Sequence, residues 1–319
     1  MIACGADAHY VRPLAVMLKS MLVNVSPGRT VAIYIVDGGL DQGHKAQLES
    51  SWARNGTRVH WLPARESSLS DLPLWGRMSA ATYYKLMVPE LLPEFVNRAI
   101  WLDCDMVVME DVARLWDTDP SDRHALAVQD VIVPYISSRY GVTHYEELGI
   151  ARNAKYFNAG VMVMNLDLWR KDNVAERVLE YLKRYRDDVY FWDQEGLNAV
   201  LTGKWGELDP RWNRGMSGRH RARAEGRDEA MAGRAITEPW VIHFTGNLKP
   251  WMHQGRNPAC ALYFRYLDMT AWAGWRPKRT WKSVIIGMYE SSRLRNLLYP
   301  AEEWAMQLVR AFTSRRVGR

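Results

Sequence analysis

The chain has 319 residues, 48% of them apolar and 24% charged, with fifteen tryptophans and three cysteines. This composition excludes a disordered chain, a collagen-like repeat and a small disulfide scaffold, and it allows one large domain or two modest ones. No apolar run reaches the roughly 18 residues of a bilayer span, and Asp7, His9 and Arg12 interrupt any secretory leader. Cys4, Cys104 and Cys260 are odd in number and scattered, with no C-x-x-C pair, which points to a reducing cytoplasm. The net charge of +6 is unevenly placed. Residues 275–319 carry ten Lys/Arg against three Asp/Glu, a surplus of seven, so the first 274 residues sit near −1. A body so nearly neutral argues against nucleic acid as a partner.

In chain order, Ile2–Ala6 reads as a short buried strand. Tyr10–Val25 has apolar residues at helical spacing, with Pro13 tolerated in the first turn and Ser26-Pro27-Gly28 as the stop. Val31–Val36 is nearly all apolar, as a strand buried on both faces should be. A polar helix follows over Asp41–Arg54, then a strand over Arg58–Leu62. This β-α-β-α-β start predicts an α/β fold built on a parallel sheet. Ser79–Leu92 reads as a helix and Ala99–Leu102 as a strand ending in Asp103-Cys104-Asp105. Further strands are expected at Ala125–Val128 and at Val161–Leu166, the latter preceded by Asn158-Ala159-Gly160. Helices are expected at Val174–Tyr185 and Gln194–Leu201. Arg211–Arg234 has no period and reads as a long loop over the active face. Val241–Phe244 reads as a last strand.

The sharpest local feature is the apolar Ile100-Trp101-Leu102 ending in two acids two residues apart. Ligands gather at the carboxyl ends of strands in open α/β sheets, and strict β geometry would point Asp103 and Asp105 to the same side. Two crowded carboxylates call for a cation, and their oxygens suit Mg²⁺ or Mn²⁺. A second feature is Val241-Ile242-His243-Phe244-Thr245-Gly246-Asn247-Leu248-Lys249-Pro250-Trp251. There His243 offers a ring nitrogen to a metal, Gly246 admits close backbone approach, and Lys249 offers a compact charge to a diphosphate. Taken alone, the acids also fit a strand-ending turn in water, and His243 a hydrogen-bonded core histidine.

Together these segments resemble glycosyltransferase family 8, whose retaining enzymes use UDP-sugars and Mn²⁺ on the GT-A fold; bacterial lipooligosaccharide galactosyltransferases are similar in length. The resemblance runs from Ile2 to about Trp251. It implies a mixed, mainly parallel sheet flanked by helices, and a site assembled from six ordered segments. Ala6, Asp7, His9 and Tyr10 would hold the uracil and ribose. Lys85, in Ser79-Ala80-Ala81-Thr82-Tyr83-Tyr84-Lys85-Leu86, would lie on the donor side. Asp103, Asp105 and His243 would be metal ligands, with Cys104 between the acids beside the donor. Asn158, Ala159 and Gly160 would touch the donor sugar, and Gly246 and Lys249 the diphosphate. Gln194 would lie nearest the reacting carbon, with Asp193 and Asp130 holding sugar hydroxyls. The chain departs from the family at Lys85, where Arg is usual, and at His9, where a small polar residue such as Asn is common. The implied function is transfer of glucose or galactose from UDP-glucose or UDP-galactose to a saccharide or lipid-linked acceptor. A metal-dependent nucleotidyltransferase or sugar-nucleotide hydrolase would use the same groups, and so would a glycogenin-like priming or binding module.

The chain therefore divides into a catalytic domain, 1–274, and a basic tail, 275–319. In the tail, positions 301, 304, 305, 308, 309 and 312 share one helical face, including Trp304, Leu308 and Phe312, amid a surplus of arginine. A basic amphipathic helix with interfacial aromatics suits an anionic membrane surface, and the same pattern also fits a helix packed on the body with its charges in water. The expected location is the cytoplasm, and under the membrane reading of the tail the protein would be peripheral on the inner face of the cell membrane.

Overall fold

The structure is a computed structural model that describes residues 1–52, 55–74, 78–216, 238–246, 249–252 and 258–278. Its strands are β1 (Ile2–Asp7), β2 (Val31–Gly38), β3 (Thr57–Pro63), β4 (Arg98–Leu102), β5 (Met106–Val108), β6 (Ala125–Gln129), β7 (Phe157–Asn165), β8 (Trp205–Glu207), β9 (Arg214–Gly215) and β10 (Val241–His243). The α-helices are α1 (Val11–Asn24), α2 (Gln42–Ser51), α3 (Val88–Leu91), α4 (Ala113–Trp116), α5 (Leu166–Lys171), α6 (Val174–Arg184), α7 (Trp192–Leu201) and α8 (Pro258–Leu267).

Seven strands form the main sheet in the order β3-β2-β1-β4-β7-β6-β8. The β3-β2-β1-β4 half is parallel, as the alternating start predicts. β7 runs antiparallel to both β4 and β6, and β8 pairs parallel with β6. The sheet is therefore mixed. Its central strands are buried on both faces and alternate between two cores, with Ala3, Ala99 and Trp101 on one side and Ile2, Cys4, Ile100 and Leu102 on the other. β1 sits between β2 and β4, so the strand order reverses there, and ligands bind outside the carboxyl ends of strands at such a switch point. A second sheet, β5-β10-β9, stands beside it. α8 closes the molecule on α1, with Tyr263 and Leu267 in a cluster shared with Val16.

Four expectations need correction. Ala80–Met87 winds as a 3₁₀ helix, and only Val88–Leu91 is α-helical. β7 begins at Phe157, so Asn158-Ala159-Gly160 lies inside the strand rather than before it. Part of the stretch read as a long loop is ordered structure, a 3₁₀ turn at Pro210–Asn213 running into β9. The acids 103 and 105 do not share one strand; they occupy the turn between β4 and β5. Positions 217–234 and residues 279–319, which hold nearly all of the tail, lie outside the described residues. Trp275 and Arg276 pack on the body, the ring 4.3 Å from the Arg12 guanidinium and Arg276 paired with Asp268 at 2.6 Å. Among the described residues no helix is long and apolar enough to cross a membrane.

Candidate active site

The two sheets meet at Asp103-Cys104-Asp105. The Asp103 N–H donates to the Gly160 carbonyl at 2.9 Å, which carries the β4–β7 pairing one residue past Leu102. The Asp105 carbonyl accepts from the Phe244 N–H at 2.9 Å, which carries the β5–β10 pairing one residue past Met106. One acid thus belongs to each sheet, and the chain crosses between them at Cys104, whose thiol donates to the Gly5 carbonyl. This crossing brings the carboxylates together. The antiparallel register then sets His243 opposite Met106, at the acids.

His243 Nε2 lies 3.1 Å from Asp105 Oδ1 and 3.9 Å from Asp103 Oδ2. One ligand atom from each of Asp103, Asp105 and His243 falls within 4.8 Å of the others. Lys249 Nζ rests on Asp105 Oδ2 at 2.5 Å and on the Phe244 carbonyl at 2.6 Å. Gly246, at φ +81°, makes the left-handed turn between them. Lys85 is buried and bridges Asp193 Oδ2, at 2.5 Å, and Asp103 Oδ1, at 3.3 Å. The Trp101 indole N–H also donates to Asp103 Oδ1, at 2.7 Å. Burial pushes both strand-end carboxyls upward. At Asp105, Lys249 and His243 overcome it and hold the group below the usual carboxylate range. At Asp103 burial prevails over Lys85, and the group stays raised. Burial pushes Lys85 down, but its two carboxylates outweigh that and keep it charged.

The 3₁₀ winding of Ala80–Met87 has a consequence at this point. With three residues per turn, Thr82 and Lys85 eclipse one another. Thr82 Oγ1 donates to Asp193 Oδ1 at 2.5 Å while Lys85 holds Oδ2. Asp193 and Gln194 follow Trp192, whose φ of +40° is costly for a non-glycine residue and is typical of strain held at working sites. Gln194 Nε2 donates to Asp130 Oδ2 at 3.1 Å, and its Oε1 accepts from the Ala159 N–H at 3.1 Å. Asn158 Nδ2 donates to the same Asp130 oxygen at 2.9 Å. Asp130, Asn158, Ala159 and Gln194 therefore form one hydrogen-bonded group beside the acids.

At the end of β1, Asp7 accepts from the His9 N–H at 2.9 Å and starts a one-turn 3₁₀ helix, Ala8–Tyr10; Ala6 is buried and His9 exposed. Tyr10 stands edge-on to Trp251, with ring centroids 5.7 Å apart. Burial first, then Asp105 and its neighbours, raise the Tyr10 hydroxyl, which places this turn near the acids.

Asn213 is the residue that sequence reasoning missed. Its Oδ1 meets His243 Nδ1 at 2.9 Å, and its Nδ2 donates to Asn158 Oδ1 at 2.8 Å. It lies in a polar stretch without a period, and it reaches the site through the pairing of β9 with β10 and the Trp240 N–H on the Arg211 carbonyl at 2.9 Å.

A divalent cation fits this donor set. The two carboxylates suit Mg²⁺ or Mn²⁺ sharing coordination with a phosphate, and the added imidazole favours a transition ion such as Mn²⁺ over Mg²⁺. Asp103, Asp105, Asp130 and Asp193 also carry two more formal charges than Lys85 and Lys249 offset, which matches the charge of such an ion.

The sequence model of glycosyl transferase family 8 matches residues 1–255. General stress protein A of Bacillus subtilis is 31% identical over 278 residues, covering 85% of this chain and 93% of that protein. Lipopolysaccharide 1,2-glucosyltransferase of Escherichia coli is 27% identical over 89% of this chain and 82% of its own. The crystal structure of galactosyltransferase LgtC with donor and acceptor sugar analogs superposes with a TM-score of 0.71 at 24% identity, over 88% of this chain and 98% of that one. That likeness shows a shared GT-A fold.

Proposed function

Because the chain belongs to glycosyl transferase family 8, we propose that it moves a hexose, glucose or galactose, from a UDP-sugar to a hydroxyl of a saccharide or glycolipid, with retention at the anomeric carbon. The observation that carries this reading is the convergence of Asp103, Asp105 and His243 beside the Asp130–Asn158–Gln194 group. Cleaving a sugar–diphosphate bond leaves negative charge on the β-phosphate. A divalent cation on Asp103, Asp105 and His243 supplies electrostatic stabilisation for that charge. Lys249, at 2.5 Å from Asp105, would share the diphosphate.

Retention by double displacement would need a carboxylate nucleophile under the anomeric carbon. The residue the family resemblance puts there is Gln194, a poor nucleophile whose amide is spent on Asp130 and Ala159. Asp193 has both oxygens occupied by Thr82 and Lys85. The favoured route is front-face substitution: the acceptor hydroxyl attacks from the leaving-group side and passes its proton to the departing phosphate oxygen. Asp130 and Asp193, whose oxygens are taken up by Asn158, Gln194, Thr82 and Lys85, would act at the sugar by holding those side chains in place. The lipopolysaccharide 1,2-glucosyltransferase among the relatives supports a saccharide or lipid-linked acceptor, and the basic tail suits a membrane surface where such acceptors lie.

The test is a hydrolysis screen of UDP-sugars with Mn²⁺, followed by proton NMR of the first-formed sugar. UDP-glucose or UDP-galactose should be consumed, with chelation stopping the reaction and the α anomer appearing first. Turnover at an undiminished rate after chelation, or an inverted product, would refute the reading.

A further inference from the structure

We infer that Asn213 is a positioning residue that sets which nitrogen of His243 faces the acids, and that it does so through a string of hydrogen bonds running back to Asp130. The inference rests on the metal-dependent reading above and extends it to Asn213, which that reading assigns to neither the cation nor the donor.

The direction of each bond follows from which groups can only donate or only accept. Asp130 is a carboxylate. Its Oδ1 takes the N–H groups of Ile132, at 2.6 Å, and Val133, at 2.9 Å; its Oδ2 takes Asn158 and Gln194. Asn158 must therefore turn its NH₂ toward Asp130. Its Oδ1 accepts the Gly160 backbone N–H at 3.0 Å, which fixes the same orientation independently. Because that oxygen also faces Asn213, Asn213 must present its NH₂ to Asn158 and its Oδ1 to His243. An amide oxygen only accepts, so His243 carries a proton on Nδ1. Nε2 is then the nitrogen left to the acids, at 3.1 Å from Asp105 Oδ1.

When the ring is neutral with its proton on Nδ1, Nε2 keeps the lone pair that a cation lying between the two carboxylates would take. With the opposite tautomer, the ring would donate to Asp105 and offer the cation nothing. The string also makes Asp130 Oδ2 a shared anchor, since Gln194 hangs from the same oxygen. The side chain assigned to the donor sugar and the ring assigned to the metal are thus registered against one atom. Asn213 is well placed for this duty: it is buried, on a 3₁₀ turn whose neighbour Trp212 packs against Trp240 with ring centroids 4.9 Å apart.

The experiment compares the full-length protein with Asn213→Leu, Asn213→Ala and Asn213→Asp, using two readouts that need no turnover. Nitrogen-15 NMR of the metal-free protein, at a pH where the ring is neutral, reports the His243 tautomer. Electron paramagnetic resonance titration with Mn²⁺ reports affinity. The wild type and Asn213→Asp, which keeps an acceptor opposite Nδ1, should show the Nδ1–H tautomer. Asn213→Leu should lose it and bind Mn²⁺ about 10- to 100-fold more weakly, the usual cost of removing a ligand's supporting partner; Asn213→Ala should behave the same and serves if the leucine variant does not fold. Folded leucine or alanine variants that keep the Nδ1–H tautomer and wild-type Mn²⁺ affinity would overturn the inference. A wild type that binds no Mn²⁺ would sink the proposed function instead, and the tautomer comparison would still decide the role of Asn213.

Discussion

Replacing Gly160 by alanine should disable the site through a single methyl group. A Cβ built at this position would lie 2.5 Å from His243 Cε1 and 2.8 Å from both His243 Nδ1 and Met106 Cε. The methionine tip can swing away. The imidazole cannot, because Asn213 holds Nδ1 at 2.9 Å and Asp105 lies 3.1 Å from Nε2. Restoring an ordinary 3.4 Å contact requires a shift of about 0.9 Å, whereas metal–ligand distances tolerate about 0.2 Å. The backbone of Gly160 is not in the left-handed region, so the alanine strains nothing but this contact. Overpacking of this size costs about 1–3 kcal/mol of stability, which a domain of this size survives. Mn²⁺ affinity should fall by about 100-fold, the upper end of what losing a ligand's support costs, with UDP-sugar hydrolysis falling alongside. Urea unfolding and Mn²⁺ titration on the same preparation separate the two effects. Wild-type Mn²⁺ affinity in a folded Gly160→Ala protein would refute the claim that this glycine exists to clear the ring.

Two other perturbations test different parts of the molecule. Lys85→Met leaves Asp193 and Asp103 facing each other without their shared cation, and breaking a buried pair costs about 3–5 kcal/mol; a loss under about 1 kcal/mol by urea unfolding would mean the carboxylates find other partners. Deleting the chain from Trp281 should abolish co-sedimentation with anionic vesicles and spare UDP-sugar hydrolysis, since every candidate site residue precedes Met252; the full chain's binding should weaken as salt shortens the Debye length from roughly 8 Å, and vesicle binding unchanged by the truncation would place the contact elsewhere.

Much of the site is legible in the sequence because its features are local. The apolar run into Asp103-Cys104-Asp105 marks a strand end, and His243 follows a strand of its own. The parallel half of the sheet is legible for the same reason, since β1, β2 and β4 are apolar on both faces. What is not legible depends on partners distant in the chain. The spacing of Ser79–Leu92 suits an α-helix, but Asp193 rewards a tighter winding that stacks Thr82 on Lys85, and its contribution comes from 111 residues away. Asn213 sits among polar residues, and its place is set by a two-residue strand that no periodicity reveals. Asp103 and Asp105 look like neighbours on one strand, yet they belong to two sheets, because Cys104 is where the chain changes partners.

The crossing at Cys104 also orders events in time. Lys249 lies 144 residues beyond Asp105, so a ribosome adding roughly 5–20 residues per second delivers it on the order of 10–30 s later. During that interval the new chain holds the first sheet's acid but not β10, and Lys85, already synthesised, is the cation at hand for Asp103. The second sheet cannot close until β10 arrives, and His243 comes with it. A nascent chain stalled before that strand would therefore hold the two acids without His243 beside them, and the cluster is completed by the docking of a three-residue strand late in synthesis.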